Sequence, residues 1–186
     1  MDAFVFVRTA PGKVEDVVGG LLSSRGVTHA VTVIGDWDVV ASVHGADLSA
    51  IAGDVLRQLH RIDGVERTLT LPVVPPDVTG VQGGGLATTL PLQRDGDACY
   101  VRLRAAPDRT AQIYAALVEM DEIAGVAMVA GEEDILAEVP RPWEEGARVV
   151  LDGIRAIPGV LSTNTLVAIP YLPPEEEDRD QFSAWS

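Results

Sequence analysis

Two carboxylates and four hydroxyls recur at matching places in the chain. Asp38 and Asp134 each close a Gly-x-x-Asp segment that begins at Gly35 or Gly131. An Asp beside a tight turn also accepts hydrogen bonds from turn amides, which is the structural alternative to a binding role. Threonines alternate further along each half, at Thr68, Thr70, Thr163 and Thr165. Their hydroxyls could line a polar pocket on one strand face, although threonine also favours strands by its shape.

Catalytic sets are not recognisable. The three histidines, His29, His44 and His60, have no counterpart in the second half of the chain. They show no metal-ligand spacing with cysteines or a carboxylate cluster. No Ser-His-Asp, HExxH or Cys-x-x-Cys set occurs, and no carboxylate pair has an apolar setting that would raise a pKa. We therefore expect a protein that is not an enzyme and has no catalytic residue, metal or cofactor.

Charge and hydropathy restrict the partners. The 28 acidic and 14 basic residues give a net charge of -14, and no segment is net basic, which argues against nucleic-acid binding. No apolar run approaches the roughly 18 residues of a membrane span, and the N-terminus does not resemble a signal peptide. The single cysteine, Cys99, fits a reducing compartment, so we expect a cytoplasmic protein.

A tandem repeat underlies these matches. Gly35-Asp36-Trp37-Asp38 recurs as Gly131-Glu132-Glu133-Asp134 at an offset of 96, and Ile62-Asp63-Gly64-Val65 recurs as Ile157-Pro158-Gly159-Val160 at 95. The matches keep the same order in both halves, and the residue lost between them falls where a loop is expected. We expect two copies, residues 1–75 and 98–170, joined by a Pro/Gly-rich linker at 76–97 and followed by an acidic tail at 171–186.

Each copy predicts the order β-α-β-β-α-β. In copy one the expected strands are residues 4–8, 27–34, 37–43 and 65–74. Apolar residues at helical spacing predict the two helices. The first helix carries Val14, Val17, Val18, Leu21 and Leu22. The second follows the cap residue Asp47 and carries Leu48, Ile51, Ala52, Val55, Leu56 and Leu59.

Copy two repeats the pattern. Its second helix is expected to carry Trp143, Ala147, Val150, Leu151 and Ile154 on one face. The fold class is therefore α+β, with two tandem ferredoxin-like units. Each sheet would leave one apolar face uncovered, so we expect the two sheets to face each other as an intramolecular dimeric α/β barrel.

The motifs resemble those of the effector-binding domain of the Lrp/AsnC family of transcriptional regulators. Three features carry the resemblance: Pro11-Gly12 after the first strand, the Gly-x-x-Asp hairpins, and the Ile-x-Gly-Val-x-x-Thr-x-Thr run at 62–70 and 157–165. The departure is at the N-terminus, because the first strand is expected to begin near residue 3, so we expect no helix-turn-helix.

The resemblance implies a stand-alone ligand-binding and assembly module. In that family the Asp of the hairpin lies at the effector pocket, where a carboxylate could hold an ammonium group. The expected ligand is an amino acid or related metabolite, bound by Gly35, Trp37, Asp38, Thr68, Thr70, Gly131, Asp134, Thr163 and Thr165. The resemblance also implies a homo-oligomer and a possible Lrp/AsnC-type regulator as partner.

Two other functions remain open at this point. Dimeric α/β barrels also include monooxygenases and decarboxylases of haem precursors, and His29, His44 or His60 would then be the candidate residues. A purely structural interaction protein is the third possibility, with the tail residues Phe182 and Trp185 as a contact.

Overall fold

The computed structural model describes residues 1–75 and 97–169. The predicted tail, with Phe182 and Trp185, lies outside these ranges, and so does the predicted linker except for Asp97. No helix within the two described ranges is long and apolar enough to cross a membrane.

Copy one folds as four strands and two helices. The strands are β1 (Asp2–Thr9), β2 (Val27–Ile34), β3 (Val39–His44) and β4 (Val65–Pro72), and the first helix is α1 (Val14–Leu22). The second helix, α2, contains an α-helical turn (Leu48–Ala50), a π-helical segment (Ile51–Val55) and a final α-helical turn (Leu56–Leu59). Asp47 caps it as predicted, because its carboxylate accepts the Ala50 N–H at 2.8 Å.

Copy two repeats this arrangement. Its strands are β5 (Cys99–Ala105), β6 (Gly125–Met128), β7 (Ile135–Val139) and β8 (Val160–Ala168), and its first helix is α3 (Thr110–Val118). The second helix, α4, runs from an α-helical segment (Trp143–Arg148) through a π-helical segment (Val149–Gly153) into a 3₁₀ turn (Ile154–Ala156).

The eight strands form one sheet in the order β4-β1-β3-β2-β8-β5-β7-β6. Val33 of β2 pairs with Ala168 of β8, which joins the two copies edge to edge. The free edges also meet, because Val73 forms a bridge with Val129, and the Val74 N–H donates to the Met128 carbonyl at 2.9 Å. The sheet is thus closed into a barrel, and the predicted fold class is confirmed.

Alternation along the strands divides the core into three parts. One set of side chains, with Phe4, Phe6, Trp37, Tyr100 and Leu166 among its members, fills the barrel interior. The opposite strand faces pack against α1 and α2 in copy one and against α3 and α4 in copy two. Closure therefore removes the apolar inner face of each copy from water, which is the main driving force for joining them.

The second helices differ from the prediction on their buried faces. Leu48, Trp143 and Leu151 were expected to be buried, but the exposed fractions of these residues are 51%, 49% and 57%. A π-helical segment has more residues per turn than an α-helix, so one α-helical stripe does not describe the buried face. In α2 the fully or nearly buried residues are Ile51, Val55 and Leu59, which are spaced by four.

Candidate functional site

The two hairpin carboxylates each hold a neighbouring strand. Asp38 Oδ2 accepts the Thr9 N–H at 2.7 Å at the end of β1. In copy two, Asp134 Oδ2 accepts the Ala105 N–H at 2.8 Å at the end of β5. In both strands the register shifts at this point. The carboxylate therefore accepts a hydrogen bond from a backbone N–H that the sheet leaves unpaired. One oxygen of each carboxylate therefore has a structural role.

The two hairpin glycines lie against the last strand of the opposite copy. A Cβ on Gly35 would contact the Leu166 side chain, and a Cβ on Gly131 would lie 2.8 Å from Leu71 Cδ2. The φ angles of these glycines are 154° and 140°, a region that side chains other than glycine rarely adopt. Glycine at these positions lets the hairpin of one copy approach the β-strand of the other.

The four threonines lie on the outer face of the barrel wall. Thr68 and Thr70 alternate with Leu69 and Leu71, whose side chains belong to the barrel interior. On β8, Thr163 and Thr165 likewise lie on the face opposite to Leu166, whose side chain belongs to the barrel interior. His60 Nε2 and Thr68 Oγ1 are 3.0 Å apart, so at least one of these hydroxyls has a local partner.

A cavity of about 310 Å³ lies beside Asp134. Its lining is mainly apolar, from Val74, Ala111, Met128 and Val129, and the polar members are Asp134 and Thr110. Of the nine predicted site residues, only Asp134 lines this cavity. Gly131, Thr163 and Thr165 do not, although they were predicted for the same pocket. Thr110 begins α3, and sequence patterns gave no reason to select it.

Copy one differs at the corresponding hairpin. Trp37 is only 6% exposed, and its ring packs against Phe6 with centroids 6.2 Å apart. Arg67 lies over the same indole at 5.6 Å. Trp37 was predicted to contact a ligand, and the structure places it in the barrel interior.

A buried arginine that sequence analysis did not select connects the two copies. Arg102, on β5, is 4% exposed, and its Nη2 donates to Asp36 Oδ2 at 2.5 Å. Asn164 Nδ2 donates to the same carboxylate oxygen at 3.3 Å, and Arg102 lies over the Phe6 ring at 5.3 Å. Burial raises the pKa of Glu133, whose Oε1 is 4.0 Å from Arg102 Nε. These contacts join the first hairpin to β5 and β8.

A second buried polar group stands alone in the barrel wall. Glu138, on β7, is fully buried, and neither carboxylate oxygen has a hydrogen-bond partner in the described ranges. Desolvation raises the pKa of Glu138 from 4.5 to about 7. The repeat offers a signal that would have found both groups, because copy one has Phe6 and Ser42 at the positions of Arg102 and Glu138.

The remaining candidates are dispersed. His44 Nδ1 lies 2.8 Å from Asp2 Oδ1, whereas His60 bonds to β4 and His29 is exposed on β2. Cys99 is fully buried, and burial raises the pKa of its thiol. In the part of the chain that the structure describes, no group of three or more His, Cys, Asp or Glu residues is placed to hold a metal ion.

Comparison with known proteins identifies the repeat. The family model described as the Lrp/AsnC ligand binding domain matches the chain twice, at residues 2–75 and 98–173. No curated protein matches the chain in sequence. The structure of TTHA0845 from Thermus thermophilus is 32% identical, covering 41% of this chain and 98% of that one, with a TM-score of 0.39.

Two similar structures cover both copies. The siroheme decarboxylase NirDL aligns over 90% of this chain and 71% of that chain, with a TM-score of 0.68 and 11% identity. A putative chlorite dismutase, TA0507, aligns over 90% of this chain and 94% of that chain, with a TM-score of 0.51 and 12% identity. At these identities the likeness shows the fold alone.

This comparison corrects one expectation from the sequence. We expected a protein that is not an enzyme, because no catalytic set was recognisable. The exclusion of an enzyme is wrong, since the fold that covers both copies also occurs in a decarboxylase. Side chains brought together by tertiary structure need no sequence motif, so the missing motifs did not justify the exclusion.

Proposed function

Because the chain belongs to the Lrp/AsnC ligand-binding domain family in both of its copies, we propose that it binds an amino acid or a related metabolite in the cavity beside Asp134. The observation that carries this proposal is the composition of that cavity, an apolar lining with one carboxylate and one hydroxyl. Its volume of about 310 Å³ is at the lower end of the range of small-molecule pockets, about 300–1,000 Å³.

The hydrogen bond at Asp134 supports a cationic ligand group. Oδ2 is held by the Ala105 N–H, which fixes the orientation of the carboxylate. Oδ1 has no hydrogen-bond partner among the residues the structure describes, and it can accept from an ammonium group. Val74, Met128 and Val129 would contact the apolar part of the ligand.

The proposal assigns this site to copy two. In copy one the residue before the hairpin carboxylate is the buried Trp37, and Val14 stands at the position of Thr110. We propose one ligand per chain at the Asp134 cavity. The predicted residues Gly35, Asp38, Thr68 and Thr70 would then support the barrel without contacting the ligand.

Thermal shift with a panel of amino acids and related metabolites tests the proposal. A ligand at 100 times its Kd should add about 2.7 kcal/mol to the free energy of unfolding. Asp134→Asn keeps an oxygen for the Ala105 N–H but removes the charge, so affinity should fall about tenfold or more.

Asp38→Asn is the matched control, because it makes the same change in copy one. It should leave affinity unchanged. Stabilisation by no member of a broad panel would contradict the binding proposal. Equal affinity of Asp134→Asn and wild type would contradict the assignment to this cavity.

A decarboxylase-like function is a second candidate. It is favoured by the fold that the chain shares with NirDL over 90% of its length, a protein whose structure has also been determined with an iron-uroporphyrin III analogue. Titration with sirohaem, followed by its absorbance, tests this candidate. A spectral change that is lost in His44→Ala or His29→Ala would support it, and no change would exclude binding of this tetrapyrrole.

Assembly and partners form the last part of the proposal. We propose a cytoplasmic homo-oligomer that can join Lrp/AsnC-type regulators, as the family membership suggests. Mass in solution, measured with and without a compound that stabilises the protein in the thermal-shift panel, tests the assembly. A monomer under both conditions would contradict it.

A further inference from the structure

A second concave site lies at the opposite end of the barrel from the hairpins. It is a cleft of about 720 Å³ on the outer side of copy one. One wall is the turn after α1, with Arg25 and Gly26, and a second is the chain after β3, beginning at His44. The third wall is a face of α2 that includes Gly53, Arg57 and Arg61.

The cleft is basic in an acidic protein. Within the described side chains, Arg25, Arg57 and Arg61 have no ion-pair partner, although the chain has twice as many acidic as basic residues. His44 at the rim is paired with Asp2. Three guanidinium groups around one cleft that are unpaired within the described side chains form a local positive field.

The second copy shows that the barrel itself does not need this charge. At the positions of Arg25 and Arg57, copy two has Asp121 and Asp152, by the repeat offsets of 96 and 95. Arg25 and Asp121 both lie in the turn after the first helix of their copy. Arg57 and Asp152 both lie on the second helix. The charge at these two positions is therefore opposite in the two copies.

Glycines keep the cleft open. A Cβ on Gly53 would meet no atom within 4 Å, so a side chain there would extend into open space. Gly26 has a φ of 85°, and a Cβ on it would lie 2.8 Å from Val55 Cγ2 and 2.9 Å from the His44 carbonyl oxygen. Glycine at this position lets the turn approach α2 closely, which brings Arg25 near the helix. The Arg25 N–H donates to Gln58 Oε1 of α2 at 3.3 Å.

We propose that this cleft binds a small polyanion that carries two or more phosphate or carboxylate groups. Guanidinium groups bind both kinds of anion through paired N–H donors. A ligand between Arg25 on one wall and Arg57 and Arg61 on the other would bridge the two walls. The volume is within the usual range for small-molecule sites. This site is separate from the cavity beside Asp134, since the two share no lining residue.

Calorimetric titration of the full chain at constant ionic strength tests the proposal, with inorganic pyrophosphate and citrate as probes. We expect saturable binding of at least one probe at one site per chain. The probe that binds more tightly identifies phosphate or carboxylate as the preferred group. Arg57→Ala should weaken binding about tenfold or more, because a charged hydrogen bond is lost, and Arg61→Ala should act in the same direction.

Two matched pairs separate this site from general charge effects. Gly53→Leu fills the cleft without changing charge and should abolish binding, whereas Gly19→Leu, also at a helical glycine with open space around it, should not. Arg155→Ala removes an exposed arginine of copy two and should leave binding unchanged. Binding of neither probe would overturn the proposal, and so would equal affinity in Gly53→Leu. A change of mass in Arg57→Ala without probe binding would identify a protein contact instead and would also overturn it.

Discussion

Glu138 shows how a single buried carboxyl group sets the pH dependence of stability. It has no partner in the described structure, so the charged form is disfavoured and the pKa rises to about 7. Below pH 4.5 the group is protonated in both the folded and the unfolded chain. Between about 4.5 and 7 the unfolded chain loses its proton while the folded chain keeps it, so stability falls as pH rises.

Glu138→Gln should therefore flatten the stability profile. The amide resembles the protonated acid but does not titrate, so the decrease between pH 5 and 8, roughly 3 kcal/mol by linkage, should largely disappear. Urea unfolding across this range measures it. Ser42→Ala, at the matching position of copy one, removes no titrating group and should retain the wild-type slope. A wild-type slope in Glu138→Gln would show that another group causes the pH dependence.

Asp36 is the second residue whose removal should have a large effect. Its carboxylate is the close partner of the buried Arg102 and also accepts from Asn164. Asp36→Ala leaves a guanidinium group that is 4% exposed with Glu133 as its nearest carboxylate, and because the Asp36 side chain is itself 44% exposed, the expected loss is about 1.5–3 kcal/mol. Chemical denaturation measures it. Glu132→Ala, the matching hairpin change in copy two, should cost less than about 1 kcal/mol, and a similar loss in both variants would refute the role of Asp36.

At the scale of elements, the Gly-x-x-Asp hairpins combine two structural tasks. Their carboxylates accept a hydrogen bond from a strand N–H at a register shift, and their glycines let the hairpin contact the last strand of the other copy. The motif that resembles a ligand site is therefore also part of the junction between copies. This explains why both copies keep Gly and Asp while the residues between them differ.

Gly131→Ala tests the junction. The added Cβ would lie 2.8 Å from Leu71 Cδ2, at a φ of 140°, so we expect a loss of about 1–3 kcal/mol. The loss would be measured by thermal or urea unfolding. Gly19→Ala, in α1 with nothing within 4 Å, is the control and should stabilise by up to about 1 kcal/mol. A neutral effect of Gly131→Ala would mean that the junction adjusts without cost.

At the scale of the whole molecule, the barrel depends on both copies. Copy one alone would expose Phe4, Phe6 and Trp37. It would also expose the edge of β2, which pairs with β8, and the segment after β4, where Val73 bridges to Val129. Exposed sheet edges next to an apolar face favour association.

A fragment of residues 1–75 should therefore not be a folded monomer. We expect a dimer or larger aggregates, as determined by light scattering together with circular dichroism. Mixing it with a fragment of residues 97–169 should restore a one-to-one complex. A monodisperse folded monomer of 1–75 at micromolar concentration would refute this dependence.

The sequence alone determined the fold. Hydrophobic spacing and the repeat offsets identified the elements and the two copies, because strand alternation and helical periodicity are local properties of the chain. The Asp47 cap and the Gly-x-x-Asp hairpins were visible for the same reason. The helix faces around Leu48, Trp143 and Leu151 were not, since π-helical segments break the periodicity that the prediction assumes.

The tertiary structure alone determined which polar groups are buried and which residues line a cavity. Arg102 and Glu138 differ in the sequence from Phe6 and Ser42 of copy one, but only barrel closure removes them from water. The Asp134 cavity similarly combines α3, β6 and Val74, which follows β4 of the other copy, and these parts lie far apart in the chain. Asp134 was recognisable because its role at the turn is local. Its neighbours Thr110 and Val74 were not, because their proximity exists only after the sheet has closed.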